Sequence, residues 1–147
     1  MVDDKDIKLL KLLQKDGRMG FKELAERTGM SRGTVYNRIK ALEQNGVIKR
    51  FIPLLDPKKL GKDITAFILI QAKDGKLVEV EDRLAKEPRI HSVYDITGEF
   101  DIAVVGNFIN SEELSKFIKQ LLATPYVSRS VTSLVLNIVK QDPRISL

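Results

Sequence analysis

The residue pattern points to an α+β protein in two parts: three short helices within residues 1–46, then a βαββαβ unit over 64–147, joined by a structured strand linker at 47–63. Three observations carry that reading. Up to Gly46 the apolar residues recur at helical spacing and each run stops at a glycine. Beyond Asp63, β-branched and aromatic runs alternate with amphipathic stretches, in the same order twice. Charge divides at the same place: residues 1–62 hold 15 Lys and Arg against 8 Asp and Glu, while residues 63–147 hold 10 against 12. The halves therefore carry +7 and −2, together the chain's +5.

The first helix is expected from Asp4, as its cap, to about Lys15, with an apolar stripe of Ile7, Leu10 and Leu13 helped by Leu9 and Leu12. Asp3, Asp4 and Asp6 suit its positive N-terminal end and Lys15 its negative end. Gly17 ends it. A second helix spans about Phe21–Thr28, with Leu24, Ala25 and Thr28 inward, and Gly29 ends that. Ser31 caps a third, which runs to about Asn45 before Gly46. Two helices joined by about four residues with a glycine form a helix-turn-helix. The three-helix domain is thus of the winged or plain helix-turn-helix kind.

In the third helix Val35, Ile39 and Leu42 make the core stripe. Ser31, Arg32, Gly33, Tyr36, Asn37 and Lys40 lie opposite, a face of donors without a carboxylate. Gly33 is a poor helix former, by about 1 kcal/mol against Ala in a helix interior and by less in a first turn. Its use is explained if this end approaches another surface closely. A recognition helix enters the major groove of double-stranded DNA with its N-terminal residues leading. Arg32 then reads guanine and Asn37 adenine. Tyr36 contacts a thymine methyl or a phosphate. Arg38 and Lys40 serve as phosphate contacts, with Lys49 and Arg50 beyond.

Val47–Leu55 is rich in β-branched and aromatic residues and is expected as a strand, followed by a turn from Asp56-Pro57 to Leu60-Gly61. Ile64–Ala72 is a strand apolar on both faces, and Leu77, Val80 and Leu84 mark a helix. Ile90–Thr97 and Asp101–Val105 are strands joined by Gly98-Glu99-Phe100. Ser111 caps a helix with Leu114, Phe117, Ile118 and Leu121 on one side, and Val127–Val139 is the last strand. This is the ferredoxin-like split βαβ order, with helices on one sheet face. The other face is left with Phe67, Leu69, Ile102 or their neighbours, an apolar surface suited to self-association.

Other classes fit poorly. No run reaches the roughly 18–20 apolar residues of a membrane span, and Met1–Leu10 is acidic and amphipathic rather than a secretory signal. The absence of cysteine removes disulfides, thiolate nucleophiles and Cys-held zinc. A cytoplasmic address is the default, with no cofactor, metal or membrane partner. His91 is the only histidine, and no phosphate loop or metal-ligand cluster appears, so an enzyme is not expected. RNA-recognition domains share the βαββαβ order but stack bases on central-strand aromatics, and Asp101–Val105 has none. A remaining alternative is an amino-acid-sensing subunit that regulates an enzyme through protein contacts.

DGRMGFKELAERTGMSRGTVYNRIKALEQNGVI, LGKD and VYDITGEFDIAVV together resemble the leucine-responsive/AsnC family of transcription regulators, the feast/famine regulatory proteins. The resemblance covers essentially the whole chain. It implies a DNA-binding domain followed by a regulatory domain that takes small effectors, usually amino acids. It also implies homodimers that assemble into tetramers or octamers. Carried over by motif, the effector loop is Thr97, Gly98, Glu99, Phe100 and Asp101, with Thr132 and Ser133 on the last strand as a neighbouring wall. Backbone N–H groups at Gly98 suit a carboxylate, and Asp101 suits an α-ammonium group. Many relatives have Tyr after that Asp, where this chain has Ile102.

Overall fold

The computed structural model describes residues 2–147, which form two compact units. The first comprises residues up to Leu54 together with Gln141–Leu147; the second is Leu55–Lys140.

The first unit is built on α1 (Asp4–Lys15), α2 (Phe21–Thr28) and α3 (Arg32–Gln44). The cap of α1 is Asp3 rather than Asp4. Its carboxylate accepts from Asp6 N at 2.9 Å, and Asp6 Oδ2 accepts from Asp3 N at 3.1 Å. This reciprocal box satisfies two N–H groups that the helix itself cannot. Gly29 ends α2 with φ of 72°, the left-handed geometry that starts the turn into α3. Ser31 caps α3, accepting from Thr34 N at 3.1 Å. Leu9, Leu24, Val35 and Ile39 form the core, with Ala25 small at the α2 crossing and Leu12, Leu13, Met19, Met30 and Ile48 packed around it. Of the α1 stripe, Leu9 is the fully buried member. The C-terminal segment joins this unit through Gln14. Its amide donates to Ile145 O at 2.9 Å and accepts from Ile145 N at 2.7 Å.

Val47–Leu55 is not a strand in the structure. A strand needs a ladder, Pro53 has no N–H to give one, and this segment meets no neighbouring strand. Ile48 packs on the core, while Ile52, Leu54 and Leu55 are about two-thirds or more exposed. Asp56–Gly61 is ordered as a single 3-10 turn, Lys58–Leu60, closed by Gly61 at φ of 74°.

The second unit is a four-stranded antiparallel sheet in the order β2-β3-β1-β4, the ferredoxin-like arrangement. Its strands are β1 (Ile64–Ala72), β2 (Ile90–Asp95), β3 (Ile102–Phe108) and β4 (Val127–Leu134), with α4 (Leu77–Ala85) and α5 (Ser111–Leu122) on one face. Ala66, Ile68 and Ile70 of β1 and Ile102, Val104 and Phe108 of β3 pack against Val80, Leu84, Leu114, Phe117 and Leu121. Ile102, expected on the open face, is fully buried here, because it pairs with Ile70 and both point toward the helices. The open face instead carries Phe67, Leu69, Ala103, Val105, Tyr94 and Val131.

Strand ends differ from the sequence reading where a partner sets them. β3 runs on to Phe108 because Ile64–Ala66 are there to pair with Gly106–Phe108. Gly106 stays bare because a Cβ would lie 2.7 Å from Ile90 Cδ1 and 2.9 Å from Arg89 O. β4 stops at Leu134, opposite Ala66, although Val135 N still donates to Thr65 O, and Leu136 and Val139 are more than nine-tenths exposed. The cap of α5 is Asn110 rather than Ser111; it accepts from Glu113 N at 2.9 Å.

Candidate nucleic-acid interface and effector loop

The outer face of α3 follows from its register. Val35, Ile39 and Leu42 are buried, which turns Arg32, Gly33, Tyr36, Asn37 and Lys40 to solvent. Among the described residues, the side chains of Arg32 and Asn37 make no hydrogen bond or ion pair, the Tyr36 hydroxyl has no partner, and Lys40 only approaches the Tyr36 ring, at 5.9 Å. Ser31 Oγ is already engaged with Thr34 as a cap. Gly33 has ordinary helical backbone, and a Cβ there would meet only Ser31 Oγ, at 4.0 Å. Neither dihedral strain nor internal packing requires this glycine, so the space beside it is free for something outside the unit.

Arg38, expected on a phosphate, is held within the unit. Its Nη1 donates to Asp3 Oδ2 at 2.8 Å and Asp6 Oδ1 at 2.9 Å, which ties α3 to the start of α1. Among the described residues Asp6 is the one buried charged residue, and Arg38 balances it. The Asp6 N–H first and the Arg38 guanidinium second hold the Asp3 carboxyl below its ordinary value. The helical wheel puts Arg38 at the border of the exposed face, and carboxylates more than thirty positions away decide its direction. Phe21, at the start of α2, was not singled out by the sequence. Its ring meets Tyr36 edge to face, with centroids 5.7 Å apart and planes at 85°.

In the second unit the β2–β3 connection is anchored at Asp101. Its N–H donates to Ile70 O at 3.0 Å, its C=O accepts from Ile96 N at 2.8 Å, and its Oδ2 accepts from Ala72 N at 2.8 Å. The last bond satisfies an amide at the register shift between Gln71 and Ala72. Gly98 has φ of 120°, a region that L side chains rarely adopt. Glu99 pairs with Arg129 of β4, whose guanidinium lies 4.6 Å from the Phe100 ring centroid. Gln71 Nε2 donates to Glu99 O at 3.3 Å. Thr97, Gly98 and Glu99 are exposed, and Phe100 and Asp101 half-buried.

Thr132 and Ser133 do not share a wall. Adjacent strand residues alternate, so Thr132, opposite Ile68, points to the helix side and Ser133, opposite Phe67, to the open face. Ser133 shares Arg129's face but stands four residues along the strand, roughly 13 Å at 3.3 Å per residue. Arg129, which the sequence reading did not name, is the β4 residue that reaches the loop. A depression between α4 and α5, lined by Arg83, Glu87, Phe117 and Gln120, is separate from it.

Residues 2–49 match the family model of winged helix-turn-helix DNA-binding domains, and residues 65–145 match the Lrp/AsnC ligand binding domain. The chain belongs to the Lrp/AsnC family of transcription regulators. This regulator is 41% identical over 145 residues to an uncharacterized HTH-type transcriptional regulator of Pyrococcus abyssi, covering 99% of both chains. It is 40% identical to the HTH-type transcriptional regulator FL11 of Pyrococcus furiosus, covering 99% of this chain and 96% of that one. Among solved structures, it matches a transcriptional regulator of Neisseria meningitidis in complex with L-methionine, with a TM-score of 0.91, 29% identity and coverage of 99% and 97%. A feast or famine regulatory protein of M. tuberculosis complexed with L-methionine matches with a TM-score of 0.91, 27% identity and 99% of both chains. The regulator thus combines a DNA-binding helix-turn-helix with a ligand-binding domain and is not an enzyme. No helix among the described residues is long and apolar enough to cross a membrane.

Proposed function

We propose that this regulator reads specific double-stranded DNA with the outer face of α3 and responds to an amino acid held at the Thr97–Asp101 loop. The observation that carries the first part is the set of unpartnered donors on Arg32, Tyr36, Asn37 and Lys40 around a glycine that the fold does not need. Arg32 and Asn37 supply base readout. Lys40 supplies phosphate attraction. Arg38 acts instead by holding α3 in place.

The amino-acid reading is supported by L-methionine in the complexes of two related regulators. In this chain, Asp101 Oδ2 is taken by Ala72 N, which leaves Oδ1 for an α-ammonium group. The Gly98 backbone offers N–H to a carboxylate. Dimers or larger assemblies form through the open sheet face, where Phe67 and Val131 are each about two-fifths exposed.

The test is thermal stability with each of the twenty amino acids, for the native chain and Asp101→Asn. Asn keeps an acceptor for Ala72 N and loses the charge. A ligand at about 100 times its dissociation constant adds roughly 2.7 kcal/mol. A shift with one or two amino acids, lost in the variant, is the expected result. A shift that survives in the variant moves the pocket elsewhere, and no shift with any amino acid refutes the effector class. Recovery of a preferred duplex from a random pool tests the DNA reading.

A further inference from the structure

We infer that Phe21 is a positioning residue for DNA binding: it holds the Tyr36 ring in the orientation that delivers its hydroxyl to a phosphate of the duplex. This rests on the reading of α3 as the DNA-facing helix.

Burial does not explain Phe21. Leu24 and Ala25 carry the buried side of α2, whereas Phe21 is 45% exposed and lies outside the residues packed on the core. Its contact is with Tyr36 on the next helix, edge to face. Aromatic pairs prefer that geometry over a face-to-face sandwich, and it is directional in a way that aliphatic contact is not. Lys40 Nζ stands 5.9 Å from the same ring, so Tyr36 is touched by Phe21 of α2 and by the residue one turn on in α3. An exposed tyrosine on a helix otherwise samples more than one rotamer, and ordering it is a cost of binding. Held by Phe21, the ring is ordered before DNA arrives.

The direction of the hydroxyl follows from which helix does the holding. Tyr36 sits on the flank of α3 that meets the start of α2. In a helix-turn-helix, the first helix crosses the sugar-phosphate backbone while the second enters the groove. A group on that flank one turn along the helix faces phosphates, whereas Gly33 and Asn37 lie further round toward the groove and Arg32, on the same flank, stands at the leading N-terminal end. The Tyr36 hydroxyl, without a partner among the described residues, is the donor such a site needs. Phosphate contacts position a protein without reading sequence. Losing Phe21 therefore weakens binding to all duplexes alike.

The experiment measures affinity at fixed salt for two duplexes, one recovered from a random pool by the wild-type chain and one unrelated. Variants are Phe21→Ala, Phe21→Leu, Phe21→Tyr, Tyr36→Phe and Phe21→Ala/Tyr36→Phe. Phe21→Ala and Phe21→Leu should bind both duplexes about three- to ten-fold more weakly, with the sequence preference and thermal midpoint kept. Phe21→Tyr should restore wild-type affinity. Adding Phe21→Ala to Tyr36→Phe should cause no further loss. If Tyr36→Phe binds like wild type, the hydroxyl's place at the DNA is wrong. If Tyr36→Phe weakens binding but Phe21→Ala does not, or if Phe21→Ala costs as much in the Tyr36→Phe background, Phe21 does not act through Tyr36. Rescue by Phe21→Leu would reduce the contact to mere apolar bulk and overturn the proposal too.

Discussion

Replacing Gly33 should push stability and affinity in opposite directions. Inside the unit, a Cβ at this position meets only Ser31 Oγ at 4.0 Å, and the backbone is already helical. Nothing in the fold resists an alanine. Gly→Ala in a helix interior gains about 0.8–1 kcal/mol, and about half of that is reasonable in a first turn. For a unit of this size, about 0.5 kcal/mol raises the melting midpoint by roughly 2–4 °C. On the proposed mode of DNA binding, the same methyl occupies the space through which the helix end approaches the bases. Leucine occupies more, and the helix must back away. A base contact contributes about 1–3 kcal/mol, so displacing one or two of them in Gly33→Leu lowers specific affinity by at least about 5-fold, with a smaller loss for Gly33→Ala. Calorimetry gives the first quantity, and fluorescence anisotropy on the selected duplex gives the second. Salt is fixed because phosphate binding varies steeply with it. Undiminished affinity in Gly33→Leu would refute the close approach. A lowered midpoint in Gly33→Ala would show a clash that the structure does not contain.

Arg32→Ala and Asn37→Ala should flatten base preference in a random-pool selection while most non-specific, salt-sensitive binding remains, if they contact bases rather than phosphates as proposed. Arg38→Ala should raise the Asp3 pKa toward its ordinary 3.8. Because the folded value lies below the unfolded one, the stability Asp3 contributes is complete above about pH 4 and lost as pH falls through the lowered value. Acid unfolding of the first unit, followed by circular dichroism, should therefore begin at higher pH in the variant. Gly106→Ala should destabilise the second unit by about 1–3 kcal/mol in urea titration, because its Cβ would sit 2.9 Å from the Arg89 carbonyl and the chain must shift. Asp101→Ala strands the Ala72 amide and should destabilise the same unit by about 1–3 kcal/mol, with most of that recovered in Asp101→Asn.

The helices were legible because their stops are local. Gly17, Gly29 and Gly46 end the runs, Ser31 caps α3, and its core stripe was correct residue for residue. Strand ends were not legible, because they are set by pairing with segments far away in the sequence. Gly106 reads as a breaker yet sits in mid-ladder, and Val47–Leu55 has strand composition but no partner strand. At the sites the same division holds. The exposure of Arg32, Tyr36, Asn37 and Lys40 follows from helical period alone. The alternation that separates Thr132 from Ser133 is local to the strand and legible from its period. The pairing of Arg38 with Asp3 and Asp6, of Phe21 with Tyr36, and of Arg129 with Glu99 depends on tertiary approach, for which no spacing rule exists.

The clasp between Gln14 and Ile145 has a consequence in time. The chain leaves the first unit after Leu54, builds the whole sheet, and returns to the first unit with Gln141–Leu147. During synthesis N-terminal segments emerge and begin to fold first. Here the three helices are made before the sheet, yet their unit is completed only after it. They wait, with the Gln14 amide uncommitted, until the ribosome has delivered everything between. A message cut short anywhere in the second unit would thus leave its mark on α1 as well.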